Sequence, residues 1–185
     1  MKNDGWCSLD DGFGPDEKLN ARADFAAVVR EFCAWADSAP GAPKAEADMA
    51  LRLLLRLHLL ALDLRDVDAD ERAPEPELTH DDWKAAHARF GSLPFQYYAT
   101  LHDPHEDITG TDVQLGDIAD DLADIYIDLA GGLSLEDAGH SNAAEWHWRY
   151  LFWHHWGRHA SAAIRALQVW IEREAEWLST SPPSR

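Results

Sequence analysis

Five aspartates crowd the stretch Gly116-Asp-Ile-Ala-Asp-Asp-Leu-Ala-Asp-Ile-Tyr-Ile-Asp128, and two histidines four residues apart follow in His155-Trp-Gly-Arg-His159. Carboxylate oxygens and imidazole nitrogens are the donors that hold divalent cations, so this pairing could bind a metal such as Mg or Mn. The candidate ligands are Asp121, Asp124, Asp128, His155 and His159. The His pair lacks the intervening Glu of the zinc-protease pattern. His102-Asp-Pro-His-Glu-Asp107 offers further donors, although a polar turn around Pro104 explains it as simply. No Ser or Cys sits in a nucleophile motif, and no Gly-rich phosphate loop is present.

The Asp row is conspicuous because nothing basic accompanies it. From Arg89 to Arg149 there is no Lys or Arg, yet twelve Asp and Glu fall between them. On a helix, Asp117, Asp120, Asp121, Asp124 and Asp128 make five like-charge pairs three or four apart, a repulsion of about 1–2.5 kcal/mol. A solvated amphipathic face is the plain reading; a metal, a basic partner, or cations from the next helix are the others. Helical phase puts Leu115, Ile118, Leu122, Ile125, Tyr126 and Leu129 on one side, with Asp121 and Asp128 nearest that apolar edge. In the segment that follows, Glu145, Arg149, His155 and His159 fall on or beside the apolar arc. Arg149, His155 and His159 are therefore expected to face the acidic helix, with Glu145 free to pair with Arg149. Trp148 and Trp156 are core residues or, with the neighbouring His and Arg, walls of a stacking pocket.

The elements that must position these groups are helical. An N-terminal arm, 1–19, precedes a helix capped by Asn20 and running to about Asp37, with Phe25, Val28, Val29 and Phe32 inward. A Leu-rich helix from Lys44 to Leu64 is apolar around most of its girth and should be central. Thr79 opens a short helix with Asp82 in an approximate capping box, ending near Gly91. Residues 93–101 suit one more helical piece and 102–114 a loop. The acidic helix spans about 115–129 and stops at Gly131-Gly132, a C-cap signal. A long Trp- and His-rich helix then runs to about Leu178, before a disordered tail, 179–185. The expectation is an all-α, single-domain bundle of five or six helices over 20–178.

Composition narrows the function classes. A net charge of −18 disfavours binding to nucleic-acid phosphates and favours a basic protein, a cationic ligand or a metal. Two cysteines suit a reducing compartment, and neither a signal peptide nor a membrane span is legible, so a cytoplasmic location is expected.

Leu122-Ala-Asp-Ile-Tyr-Ile-Asp-Leu129, Glu145-Trp-His-Trp-Arg149 and His155-Trp-Gly-Arg-His159, with Tyr97-Tyr-Ala-Thr-Leu-His-Asp-Pro104 upstream, resemble the bacterial family named domain of unknown function 5063. The resemblance covers nearly everything after residue 20 and implies a helical fold without implying an activity. His58 and Asp63-Leu-Arg65 depart from the family pattern. Asp117-x-x-Asp120 and Asp121-x-x-Asp124 also resemble, in part, the acidic helices of all-α nucleoside triphosphate pyrophosphatases. Two functions follow. The first is a non-catalytic binding protein with an Asp/His/Trp-lined cleft; the alternative is a divalent-metal-dependent hydrolase.

Overall fold

Helix α1 (Pro15–Ala36) inserts Phe25, Val28, Val29 and Phe32 into the core at the spacing of one helical face. It begins at Pro15 and not at Asn20, so part of the expected arm is helical. The computed structural model describes residues 15–70, 72–101 and 113–180, with side chains described for 21–70, 72–101 and 113–175. The His102–Asp107 candidates therefore lie outside the described residues.

Helix α2 (Pro43–Ala61) opens on Pro43, whose missing N–H costs nothing in a first turn. It packs on α1 and on α6 (Trp156–Thr180) through Ala47, Ala50, Leu53, Leu54 and Leu57. It is not the central helix expected from its composition, since Leu55 and Leu59 are 50% and 65% exposed. The centre belongs to α4 (Ile118–Asp137), which touches α1, α6, α3 (His80–Phe90) and α5 (Ser141–His154). Its sequence explains this, because Ala119, Ala123, Gly131 and Gly132 let neighbours approach beside Ile118, Leu122, Ile125 and Leu129. The glycine pair does not end the helix, which continues to Asp137. A Cβ on Gly132 would lie 2.1 Å from Nε1 of Trp148, so this glycine is a packing notch.

The capping box at α3 is present, with Thr79 accepting from the Asp82 amide and Asp82 accepting from the Thr79 amide. Beyond α3, strands β1 (Tyr97–Leu101) and β2 (Val113–Asp117) pair antiparallel, Tyr98 opposite Gly116. This hairpin replaces the expected helical piece, and its second strand begins inside the expected loop. It is anchored to α4 where the Ile118 amide donates to the Gln96 carbonyl at 3.0 Å. Among the described residues the fold is nonetheless a mostly all-α single domain of six helices.

The long C-terminal helix is two helices. His155 (φ −145°, ψ −87°) breaks it, and α6 restarts at Trp156. Gly157 permits the break: a Cβ there would come within 2.2 Å of the Phe152 carbonyl oxygen. Trp148 and Trp156 are fully buried on either side of it. Their indole N–H groups donate to the carbonyls of Leu129 at 3.0 Å and Trp148 at 3.1 Å. Both are core residues, with no face left for a ligand. Among the described residues, no helix is long and apolar enough to cross a membrane.

Candidate metal centre

The Asp row lies along the flank of α4 that α3, the hairpin and the start of α6 close over, and all its carboxylates except Asp120 have a hydrogen-bonded partner among the described residues. Asp117 is the N-cap of α4, accepting from the amides of Ala119 at 3.0 Å and Asp120 at 3.4 Å. It also accepts from the Gln96 amide nitrogen at 3.3 Å. Its negative charge is thus stabilised by the helix dipole and two otherwise orphan donors. Asp121 is buried; it accepts from the Tyr98 hydroxyl and from Nδ1 of His159 at 2.8 Å. Tyr98 reaches it because Gly116 opposite leaves room for the phenol ring, which passes 2.4 Å from where a Cβ would stand.

Asp124 is half-buried. Its Oδ1 accepts from the Trp83 indole at 2.8 Å, and its Oδ2 lies 3.5 Å from Nε2 of His159. Asp128 is buried and holds Nδ1 of His155 at 2.7 Å, while its backbone carbonyl meets Nε2 of His147 at 3.1 Å. Asp120 alone has no hydrogen-bonded donor on its side chain among the described residues.

Electrostatics follow from this layout. Burial, then repulsion from Asp124 and Asp121, raises the Asp120 carboxyl above the usual range. Burial also raises Asp128, against the pull of the His155 imidazole. The hydrogen bond to Asp121 raises His159, outweighing its own desolvation. Burial lowers His147, whose ring is thereby kept neutral and suited to its backbone contact. Burial and the bond to Asp121 push the Tyr98 phenol well up, so it stays a proton donor.

One donor of each of Asp124, His155 and His159 lies within 4.8 Å of the others, close enough for a single cation to bring them together. The two rings stand 4.9 Å apart at 70°. Since Nδ1 of each ring is engaged by a carboxylate, Nε2 is the nitrogen left to ligate. Donors about 2.1 Å from a tetrahedral ion are separated by roughly 3.4 Å, close to the 3.5 Å between Asp124 and His159.

Not every expected residue is here. Arg149 does not face α4: its Nε lies 3.5 Å from Asp66 and its Nη1 donates to the Leu64 carbonyl at 3.4 Å. Glu145, fully buried, pairs with Arg65 instead of Arg149, at 2.5 Å, and also takes the Arg65 backbone amide at 2.9 Å. Arg158 turns back to the His154 carbonyl at 2.6 Å. Trp83 and Tyr98 were not singled out from the sequence, although a lone Trp beside Asp81 and Asp82 in a short helix was a usable signal. Two surface grooves, of about 340 and 160 Å³, are lined by none of Asp121, Asp124, Asp128, His155 and His159, so donor geometry and not cavity size singles the cluster out.

In fold, the chain is similar to the crystal structure of protein BF1032 from Bacteroides fragilis, at a TM-score of 0.66 and 22% identity, over 92% of this chain and 97% of that one. No curated protein matches it. The family model described as Domain of unknown function (DUF5063) matches residues 18–171, and the chain therefore belongs to that family.

Proposed function

We propose that this protein binds a divalent transition-metal ion through Asp124, His155 and His159, and that Asp121 and Asp128 orient the two imidazoles. The single observation that carries this reading is the double Asp–His pairing. Nδ1 of His159 is tied to Asp121 and Nδ1 of His155 to Asp128, while a donor of each ring converges with Asp124. Ligating histidines normally donate their other ring N–H to a carboxylate, which fixes the tautomer and raises ligand basicity. Two imidazoles and a carboxylate favour Zn, Fe or Mn over Mg, which prefers oxygen ligands alone. Three protein ligands leave at least one position open, as catalytic metal sites do. The centre therefore fits the metal-dependent alternative better than a passive acidic face. Neutralisation of the row by an outside basic protein has less support, because Trp83, Tyr98, His155 and His159 already occupy it.

The test is metal content by elemental analysis after dialysis against Zn, Mn and Mg in turn. One tightly held ion per chain is expected with Zn or Mn. It should be lost in Asp124→Ala, His155→Ala and His159→Ala, and kept in His154→Ala, whose exposed ring instead packs at a tilt against Tyr150. Equal retention by all four variants, or none by the wild type, would sink the proposal.

A further inference from the structure

We infer that the outer face of α2 is an interface between two copies of this chain, occupied by α2 of the second copy running antiparallel. The inner face of α2 is made by Leu53, Leu54 and Leu57, all buried. Leu55, Leu59 and Leu62 point the other way and are 50%, 65% and 39% exposed. One exposed leucine needs no explanation. At about 100° per residue, however, these three fall within about 60° of one another and make a continuous stripe. Such a stripe on the outside of a packed domain marks an interaction surface.

Charge and spacing name the occupant. A chain of net charge −18 repels its own copies over most of its surface. Helix α2 is different, carrying Lys44, Arg52 and Arg56 against only Glu46 and Asp48. Arg52 and Asp63 flank the leucine stripe on one side, both exposed and without an ion pair among the described residues. The helical turn continues as far as Asp63, whose amide donates to the Leu60 carbonyl at 3.1 Å. At 1.5 Å per residue the two side chains are rooted about 16 Å apart, too far to pair within one chain. A two-fold axis lying in the interface and perpendicular to α2 brings each to its complement on a second copy. It keeps each flank on its own side, so Arg52 is level with the partner's Asp63, and Asp63 with the partner's Arg52. In that register the partner's Leu59 lies about 1.5 Å along the axis from Leu55, and the partner's Leu62 about 3 Å. Leucines and charges therefore select the same alignment. Arg56, on the same flank, is offset by its own Glu31, to which it donates twice.

The experiment is sedimentation equilibrium of the full chain from micromolar to millimolar concentration, in EDTA so that bound metal plays no part. A single helix pair is a small interface, and a dissociation constant of roughly micromolar order is expected. Leu59→Glu should leave a monomer throughout the range. Arg52→Asp places like charges together twice across the axis and should weaken dimerisation about tenfold. Arg52→Asp/Asp63→Arg should restore the wild-type constant, which a variant acting through misfolding could not do. A wild type that stays monomeric at every concentration overturns the inference. So does a dimer that survives Leu59→Glu, and so does a charge-swapped double variant that dimerises no better than Arg52→Asp alone.

Discussion

Asp124→Asn should be nearly silent without metal and conspicuous with it. Asn at 124 removes repulsion with Asp120, Asp121 and Asp128, three pairs worth about 0.2–0.5 kcal/mol each, a gain of about 0.6–1.5 kcal/mol. Against this, the Trp83 indole at 2.8 Å exchanges a charged acceptor for a neutral one, losing about 1 kcal/mol. The attraction to His159 across 3.5 Å, at a side chain 24% exposed, is worth about 0.5 kcal/mol more. The terms nearly cancel, so in EDTA the melting temperatures of variant and wild type should agree to within about 4 °C. With Zn at a hundred times its dissociation constant, linkage stabilises the wild type by about 2.7 kcal/mol. For a chain of this size that is a rise of about 5–11 °C. The variant, deprived of a ligand, should rise much less. Thermal denaturation followed by far-UV circular dichroism, with and without metal, measures all four values. An equal metal-induced rise in both proteins would refute the assignment of Asp124 as a ligand. A variant strongly destabilised in EDTA would refute the balance of terms.

Asp128→Asn should weaken metal binding about 10–100-fold without abolishing it, as loss of an orienting carboxylate does, and isothermal titration would show an unaltered constant if Asp128 plays no part. Gly132→Ala should destabilise by about 1–3 kcal/mol despite the gain in helix propensity, because its Cβ meets the Trp148 indole at 2.1 Å; urea denaturation giving a more stable variant would count against the packing role. Arg65→Met should cost about 3 kcal/mol by stranding the fully buried Glu145, the low end for a broken buried pair because Arg65 is itself 32% exposed. Urea midpoints check this too, and Arg149→Met should cost clearly less. In EDTA, the raised His159 contributes stability that is complete below about pH 6.5, its unfolded value, and is lost as pH rises through its higher folded value. His159→Gln should remove that fall from the pH–stability profile, and a profile identical to the wild type's would exclude the Asp121 contact as its source.

Local signals in the sequence carried much of the fold. Phe25, Val28, Val29 and Phe32 mark a buried face by spacing alone, and Thr79 with Asp82 marks a helix start by capping chemistry. Helical phase also placed Asp121 and Asp128 at the apolar edge of their helix, and they are the two buried carboxylates of the row. The hairpin was not legible, because Tyr97–Leu101 and Val113–Asp117 carry few β-branched residues and gain their ladder only from each other. Gly131-Gly132 misled for a different reason. Glycine permits a left-handed C-cap and equally permits a bulky neighbour to approach, and only the tertiary partner, here Trp148, decides between them.

The misplacement of Arg149 has a single cause, and that cause also makes the candidate site. Helical phase relates two residues only while the helix between them is unbroken. Counting at 100° per residue put Arg149 and His159 on one face, but the backbone at His155 leaves the helical region and resets the phase. Arg149 on α5 then points to the loop holding Asp66, while His155 and His159 turn to α4. The break depends on residue 157, where any side chain would collide with the Phe152 carbonyl. The repulsion along the row is offset in the same place: Asp117 by the helix N-terminus, Asp124 by Trp83, Asp121 by Tyr98 and His159, and Asp128 by His155. Two of these four arrangements need the imidazoles delivered by the break. A glycine with no side chain is thus what lets the imidazoles reach Asp121 and Asp128. Gly157→Ala should accordingly disturb the His155 and His159 contacts before it disturbs the core.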